Sequence, residues 1–477
     1  MNILHVASEV APYAKTGGLA DVAAALPRAL AALGGRSDRV AIVLPRYQVD
    51  PDRFGLAKRL QRMSVPVGAD AIEVGVYEGR LPGGGGAVTA WLIDHPLFDR
   101  PGLYGEGGHD YADNALRFAL LSRASLSVAR AFGFEPDVLH AHDWQAAPAL
   151  LYARRGAAPH ARTVLTIHNV AFQGLYPPSV ASELGLGADL FHPEGIEFYG
   201  QVSFLKAGIL HADWITTVSP RYAREIQTPE FGAGLDGLLR SRADRLVGIL
   251  NGADYDLWSP ARDLALAEPF SASRLDGKRA CKTALQRELG LPQRARIPLT
   301  GAVSRLTDQK GFDLVADALE RLLPDRAMQV VILGSGEAAI EERLTALAAR
   351  FPHQLAVRFG HDEPLAHRIY AGSDLFVMPS RWEPCGLSQL YAMRFGAPPI
   401  VRATGGLDDT VIDLDVPSSS GNGFKFAEAS AEALGAAWRR ALSAYAQTQS
   451  FAALIRRAMA QDFSWARSAE AYRQLYL

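Results

Sequence analysis

The segment KTGGLADV, Lys15 to Val22, sets a lysine and two glycines, Gly17 and Gly18, between the apolar run Ile3 to Val6 and a helical pattern. Glycines let backbone N–H groups approach a phosphate closely, and a helix N-terminus beside an ammonium favours its negative charge. A phosphorylated ligand is the chemistry this implies. Neither common nucleotide fingerprint fits, since one needs its lysine after the glycines and the other needs wider glycine spacing. An ordinary glycine turn is the competing reading.

Two later stretches carry chemistry of a related kind. SRLTDQKG brings Arg305 and Lys310 together at a strand-end turn, where a guanidinium and an ammonium can neutralise a departing diphosphate without a metal; two solvated surface cations are the plainer alternative. In PSRWEPCGLSQL, Glu383 stands at a turn before a helix, where a carboxylate accepts bonds from sugar hydroxyls or merely stabilises its own helix entry. Cys385 reads as packing beside that site, because no histidine or asparagine can be assigned to it. HAHDW offers a different chemistry. His140 and His142 lie on one side of a strand and Asp143 on the other, and an H-x-H pair can hold zinc for a metal-dependent hydrolase. A third ligand is missing from the pattern, for the other histidines, His168 in TIHN included, form no ligand series. His140 therefore reads as a core histidine, while His142 and Asp143 lie nearer the strand end.

These residues need a scaffold. Runs rich in Val, Ile and Leu at 39–45, 137–144, 163–169, 214–219 and 246–252 alternate with helical patterns, and the grammar repeats at 298–306, 329–336, 355–361, 375–380 and 398–406. Runs apolar on both faces predict parallel sheets covered by helices, an α/β fold in which ligands lie beyond the carboxyl ends of strands. A length of 477 residues exceeds one ordinary core, so two domains are expected, divided near the turn-rich NGADYDLWSP, 251–260. Leu19, Val22, Leu26, Leu30 and Leu33 mark a helix after the glycine loop, which Pro27 should kink or stop. PGGGG, 82–86, reads as a hairpin tip. The stretch Asp94 to Asp113 suits a mobile binding loop to which Tyr104, His109 and Tyr111 belong, an ordinary surface excursion being the plainer alternative. Trp465, Ala469, Tyr472 and Tyr476 share one face of a last, packing helix.

Composition narrows the partners. A formal charge of -2 offers no surplus for a polyanion, so nucleic acid is an unexpected partner. No apolar stretch is long enough to span a bilayer and the start lacks the character of a secretory signal, which makes the cytoplasm the expected location. Cys281 and Cys385 exclude a disulfide framework and cysteine-based zinc sites.

Taken in order, KTGGLADV, HAHDW, TIHN, SFLKAG, SRLTDQKG, SRWEPCG, RATGGL and DFSW resemble bacterial glycogen synthases, which are similar to plant starch synthases. The resemblance runs the length of the chain and implies the glycosyltransferase-B architecture: two Rossmann-like domains with parallel sheets facing a deep cleft. The domains would be 1–250 on the acceptor side, a hinge at 251–260, 261–456 on the nucleotide-sugar side, and a terminal helix at 457–477 crossing back. The implied reaction is retaining transfer of glucose from ADP-glucose to the non-reducing end of an α-1,4-glucan such as glycogen, with no cofactor and no metal. Lys15, Gly17 and Gly18 then match the loop beside the distal phosphate and glucose, and Arg305 and Lys310 the diphosphate-binding cations. Asp143, His168 and Asn251 match positions around the donor glucose, the His168 carbonyl facing charge at the anomeric centre. Glu383 matches a sugar-contacting carboxylate rather than a nucleophile. Cys385, Gly386 and Leu387 are adjoining substrate-binding positions, and Thr404, Gly405 and Gly406 match a backbone nest for phosphate. Two positions depart from relatives. His361 replaces a base-stacking tyrosine, which leaves UDP-glucose as a rival donor, and Tyr391 stands where other retaining transferases of this fold carry a second glutamate. Asp413 and Asp415 read as a solvated acidic turn. A pyridoxal-dependent glucan phosphorylase would need a longer chain, and a sugar-binding protein without catalysis would have little use for the phosphate cations.

Overall fold

A computed structural model of the chain describes residues 1–35, 38–83, 86–415 and 420–477. It divides into two compact units, Met1–Gly252 together with Trp465–Leu477, and Ala253–Ser464.

The first unit is built on a nine-stranded sheet. Its strands are β1 (Asn2–Val6), β2 (Arg39–Pro45), β3 (Ala57–Val67), β4 (Asp70–Arg80), β5 (Val88–Asp94), β6 (Val138–His142), β7 (Arg162–Ile167), β8 (Trp214–Thr217) and β9 (Leu246–Gly248). Their spatial order is β9-β8-β7-β6-β1-β2-β5-β4-β3. From β9 to β5 every pairing is parallel. The expected strands are here, and their two-sided apolar character follows from burial on both faces, as in β6, where all residues are buried. The sheet is not wholly parallel, however. β3, β4 and β5 form an antiparallel meander at one edge, absent from the sequence reading because β3 is mostly exposed and shows no apolar run. Gly68, with φ +64°, makes the turn between its first two strands. The hairpin expected at 82–86 falls partly on residues 84 and 85, outside the described residues.

Helix α1 (Gly18–Gly34) runs through Pro27 without stopping; Val22, Leu26 and Leu30 are buried, whereas Leu33 is exposed. The segment expected to be a mobile loop is tied down instead. Arg100 makes a bidentate pair with Asp113 at 2.8 and 2.6 Å, and the fully buried Arg117 donates to the Leu97 carbonyl at 2.8 Å.

The second unit carries a six-stranded, wholly parallel sheet: β10 (Leu299–Val303), β11 (Gln329–Gly334), β12 (Leu355–Phe359), β13 (Leu375–Met378), β14 (Pro399–Arg402) and β15 (Phe424–Phe426), in the order β12-β11-β10-β13-β14-β15. Helices α2 (Phe312–Leu322) and α3 (Glu363–Gly372) follow β10 and β12, so the loops of interest sit at strand carboxyl ends. The segment after Ala253 is fixed by Trp258, whose ring is stacked between His367 and Tyr391 at centroid distances of 3.9 and 4.0 Å. Tyr391 thus has a packing role. Asp413 is held by Arg440 at 2.9 Å rather than freely solvated.

The last helix starts later than the expected 457, which lies inside α4 (Thr448–Met459); α5 spans Trp465–Tyr476 and belongs to the first unit. Between them the Ser464 N–H donates to the Asp462 carboxylate, a local turn bond that competes with helix continuation. Trp465, Ala469, Tyr472 and Tyr476 are all buried, as the shared face predicts, and join the same core cluster as α1. No helix of the described residues is long and apolar enough to cross a membrane.

Candidate active site

In the first unit the glycine loop is organised by a residue the sequence reading passed over. β1 ends at Val6, and three residues on Glu9 is buried. Its carboxylate accepts the Thr16 N–H at 2.5 Å, the Gly17 N–H at 3.3 Å, the Thr16 hydroxyl at 2.6 Å and the Tyr104 hydroxyl at 2.5 Å. The Gly17 amide, expected to meet a phosphate, therefore faces an internal carboxylate, as does its neighbour at Thr16. Burial first, then the Glu9 charge, raises the Tyr104 phenol well above its usual range. Lys15 pairs with Asp21 at 2.8 Å, and both are substantially exposed, so the pair is weak and leaves the ammonium available to a stronger anion. Gly17 is extended, with φ -158°, and a Cβ there would meet nothing within 4 Å. Neither conformation nor internal packing requires a glycine at that position, which leaves room on the loop for a close approach. Glu9→Ala would remove a charged acceptor from the exposed Thr16–Gly17 turn and leave the Tyr104 hydroxyl with the Ser8 hydroxyl alone, 2.8 Å away; we expect a loss of about 1–2 kcal/mol in the urea unfolding of the first unit.

Asp143 follows β6 in the left-handed region, φ +56°, an arrangement that strains a non-glycine residue by about 1–3 kcal/mol. Its buried carboxylate accepts the His168 N–H at 2.7 Å. Burial pushes its pKa up to about 7, against the opposing pull of the His168 and Asn169 amides. Asp143 thus holds the loop after β7 by its backbone. Asn251, past the end of β9, is buried, and its Oδ1 has no hydrogen-bond partner among the described residues. An unpaired buried acceptor is costly unless something else satisfies it.

The H-x-H pair gains the third histidine the sequence did not reveal. Strands β1 and β6 are adjacent with His5 level with His140, and one ring nitrogen each of His5, His140 and His142 falls within 4.8 Å of the others. His142 stacks on both other rings, at centroid distances of 5.4 Å to His5 and 4.3 Å to His140, while His5 and His140 are tilted at 4.8 Å. Both His140 nitrogens are already engaged, with the Tyr476 hydroxyl at 2.7 Å and the Thr166 hydroxyl at 2.6 Å. A metal there would have to displace bonds that already satisfy these nitrogens.

In the second unit the turn after β10 and the turn after β13 lock together. Lys310 Nζ meets Glu383 Oε2 at 2.6 Å, and the Ser380 hydroxyl donates to the same oxygen at 2.9 Å. Arg381 braces both turns with a bidentate pair to Asp313 at 2.7 and 2.6 Å and a bond to the Asp308 carbonyl. Burial pulls the Asp313 carboxyl upward, but the Arg381 bonds and charge outweigh it and hold the carboxyl below its usual range. Gly405, with φ +43°, and Gly406 are explained by close packing: added Cβ atoms would lie 1.9 Å from the Glu383 carbonyl oxygen and 2.1 Å from that of Cys385. The Gly406 N–H is directed at the Glu383 and Pro384 carbonyls at 3.1 and 3.2 Å, and the Thr404 N–H at the Arg402 carbonyl at 2.9 Å, so these two amides are engaged within the protein rather than open as a nest. Cys385 is buried, and Gly386 (φ +74°) and Leu387 lead into the helix Ser388–Arg394. Arg305 is exposed at the end of β10, 3.5 Å from Gln309 Oε1, and His361 is exposed just before the cap of α3. Among the described residues no hydrogen bond joins either to Glu383.

The structure thus brings Lys310, Glu383, Cys385, Gly405 and Gly406 together in one unit, and Asp143 and His168 together in the other. Glu9, His5 and Arg381 were missed. A carboxylate shortly before a glycine turn, and an arginine two places before Glu383, were the only local hints; His5 has none, because its neighbours come from other strands.

Residues 2–241 match the starch synthase catalytic domain family, and residues 289–458 match glycosyl transferases group 1. The chain is 52% identical over 484 residues to a glycogen synthase of Anaeromyxobacter dehalogenans (strain 2CP-1), covering 100% of this chain and 98% of that relative. It is 48% identical to a glycogen synthase of Syntrophotalea carbinolica, over 100% of this chain and 98% of the relative. Among solved structures it is similar to the catalytic domain of starch synthase IV from Arabidopsis thaliana bound to ADP and acarbose, with a TM-score of 0.90 and 36% identity over 99% of this chain and 98% of that one. A sucrose-phosphate synthase from Thermosynechococcus elongatus, at 18% identity and a TM-score of 0.63 over 100% of this chain and 98% of that one, shares the fold.

Proposed function

Since this chain belongs to the glycogen synthase and starch synthase family of glycosyltransferases, we propose that it transfers glucose from ADP-glucose to the non-reducing end of an α-1,4-glucan, releasing ADP. The observation that carries this reading is the partly buried Lys310–Glu383 pair at 2.6 Å, set where the loops after two parallel strands interlock, in a chain similar to a starch synthase bound to ADP and acarbose. In the reaction the acceptor hydroxyl attacks the anomeric carbon on the face the diphosphate leaves. The carbon–oxygen bond to phosphate breaks, and the departing phosphate takes the acceptor's proton. Negative charge grows on the diphosphate and positive charge on the sugar ring, so fixed cations and fixed oxygens act more strongly in the transition state than before it.

We assign Lys310 and Arg305 to the diphosphate and Glu383 to the sugar hydroxyls, its charge balanced at rest by Lys310. Lys15 is assigned to phosphate once released from Asp21. The Asp143-braced loop presents the His168 carbonyl to the ring, and Asn251 contributes its unpaired oxygen. The domains we assign are 1–250 for the acceptor and 261–456 for the nucleotide sugar, joined through 251–260.

The test is ADP release with and without glycogen, with ADP-glucose and UDP-glucose compared, in the natural chain and in Glu383→Ala. We expect release to require glycogen, to favour ADP-glucose and to fall about a hundredfold in the variant. Equal release without glycogen, or faster turnover of UDP-glucose, would overturn the assignment.

A further inference from the structure

Three imidazoles of the first unit form one hydrogen-bonded file. His5 Nδ1 lies 3.1 Å from His142 Nε2, and His142 Nδ1 lies 3.1 Å from His168 Nε2. His5 and His142 are fully buried, His168 is half-buried, and His5 Nε2, at the inner end, is a buried atom with no partner among the described residues. His140 stacks on His142 at 4.3 Å but cannot join the file, because hydroxyls occupy both its nitrogens.

Each neutral ring carries one proton, and each contact between nitrogens needs one. Two of the three protons therefore sit in the contacts and the third at one end. If it sits on His5 Nε2, an N–H donor is stranded in the core and His168 ends in a bare Nδ1. If it sits on His168 Nδ1, the buried end is a bare lone pair and the half-exposed end is a donor. Stranded buried N–H groups are rarer than under-used acceptors, which selects the second arrangement.

We propose that His142 is a positioning residue that fixes the tautomer and orientation of His168, with His5 holding the His142 ring, so that the His168 Nδ1–H is offered as a donor to a hydroxyl of the glucosyl group. The file acts as a unit: His5 Nδ1–H donates to His142 Nε2, and His142 Nδ1–H donates to His168 Nε2. Burial, which pushes His5 and His168 down to about 3, keeps an extra proton off the file at neutral pH. The proposal rests on the reading above that His168 stands beside the donor sugar.

Long-range proton–nitrogen spectra of the full chain labelled at histidine nitrogens test it directly. Wild type should show His168 protonated at Nδ1 and bare at Nε2. In His142→Leu, which removes the donor to His168 Nε2, the His168 signals should move toward the other tautomer, and kcat with ADP-glucose should fall about tenfold, the worth of one misdirected neutral hydrogen bond, with KM for glycogen unchanged. His142→Gln, whose amide offers one donor and one acceptor, should retain more turnover than His142→Leu. A wild-type His168 protonated at Nε2, a His142→Leu protein with unaltered His168 signals and kcat, or one equivalent of zinc in the purified chain would each overturn the proposal. If ADP-glucose proved not to be the donor, the wild-type spectrum would still decide the tautomer, so the two failures are distinguishable.

Discussion

Lys310→Ala should turn over ADP-glucose about a hundredfold more slowly than the natural chain, with a smaller change in KM, if Lys310 takes the place beside the leaving diphosphate proposed for it, because a fixed cation there counts most when charge has developed. The same change strands Glu383, which is 5% exposed and would keep only the Ser380 hydroxyl of its two side-chain partners described above. Breaking a buried pair from one side costs about 3–5 kcal/mol, so lost stability could masquerade as lost catalysis. Steady-state kinetics paired with thermal unfolding separates the two. Adding Glu383→Gln to Lys310→Ala should recover most of the stability and none of the turnover. A Lys310→Ala protein with near-normal kcat would remove Lys310 from the chemistry.

Acid should unfold the first unit well before the second. His5, His140, His142 and His168 are all pushed below the ordinary histidine range by burial. Their folded pKa values lie under the unfolded value, so the stability they confer is complete above about pH 6.5 and is lost as pH falls toward the folded values. Each group contributes a slope of about 1.4 kcal/mol per pH unit in that window. Asp143 works in the opposite sense: its folded pKa, raised to about 7, favours the folded state on acidification from there toward pH 4. The depressed histidines outnumber the raised aspartate four to one, so acidification below about pH 6.5 is on balance destabilising for the first unit. Hydrogen exchange followed by mass spectrometry at pH 7.5, 6 and 4.5 should show protection lost first in residues 1–252. His5→Phe should flatten the dependence by about one group. Full protection of that unit at pH 4.5 would contradict the prediction.

The parallel strands were legible because burial on both faces demands unbroken apolar runs, and β2, β6 and β7 appear within a residue or two of where such runs lie. β3 and β4 were not, since an edge meander facing water needs no such run. Lys310 and Glu383 were legible as charges just past strand ends, a place where α/β folds put ligands. Their mutual contact was not, because it depends on β10 and β13 being neighbours. The same holds for His5, whose partners depend on strand order, and for Glu9, whose carboxylate explains why the amides of Thr16 and Gly17 are not open donors. Gly405 and Gly406 were read as a phosphate nest, whereas the packing of backbone against backbone already accounts for both.

Helix α5 belongs to the first unit although residues 253–464 intervene. During translation, residues 1–252 leave the ribosome with the hydrophobic face under Tyr472 and Tyr476 uncovered and the His140 ring lacking its tyrosine hydroxyl. At synthesis rates of about 5–20 residues per second that exposure lasts roughly 10–40 s, a window in which a nascent-chain chaperone would find its binding surface.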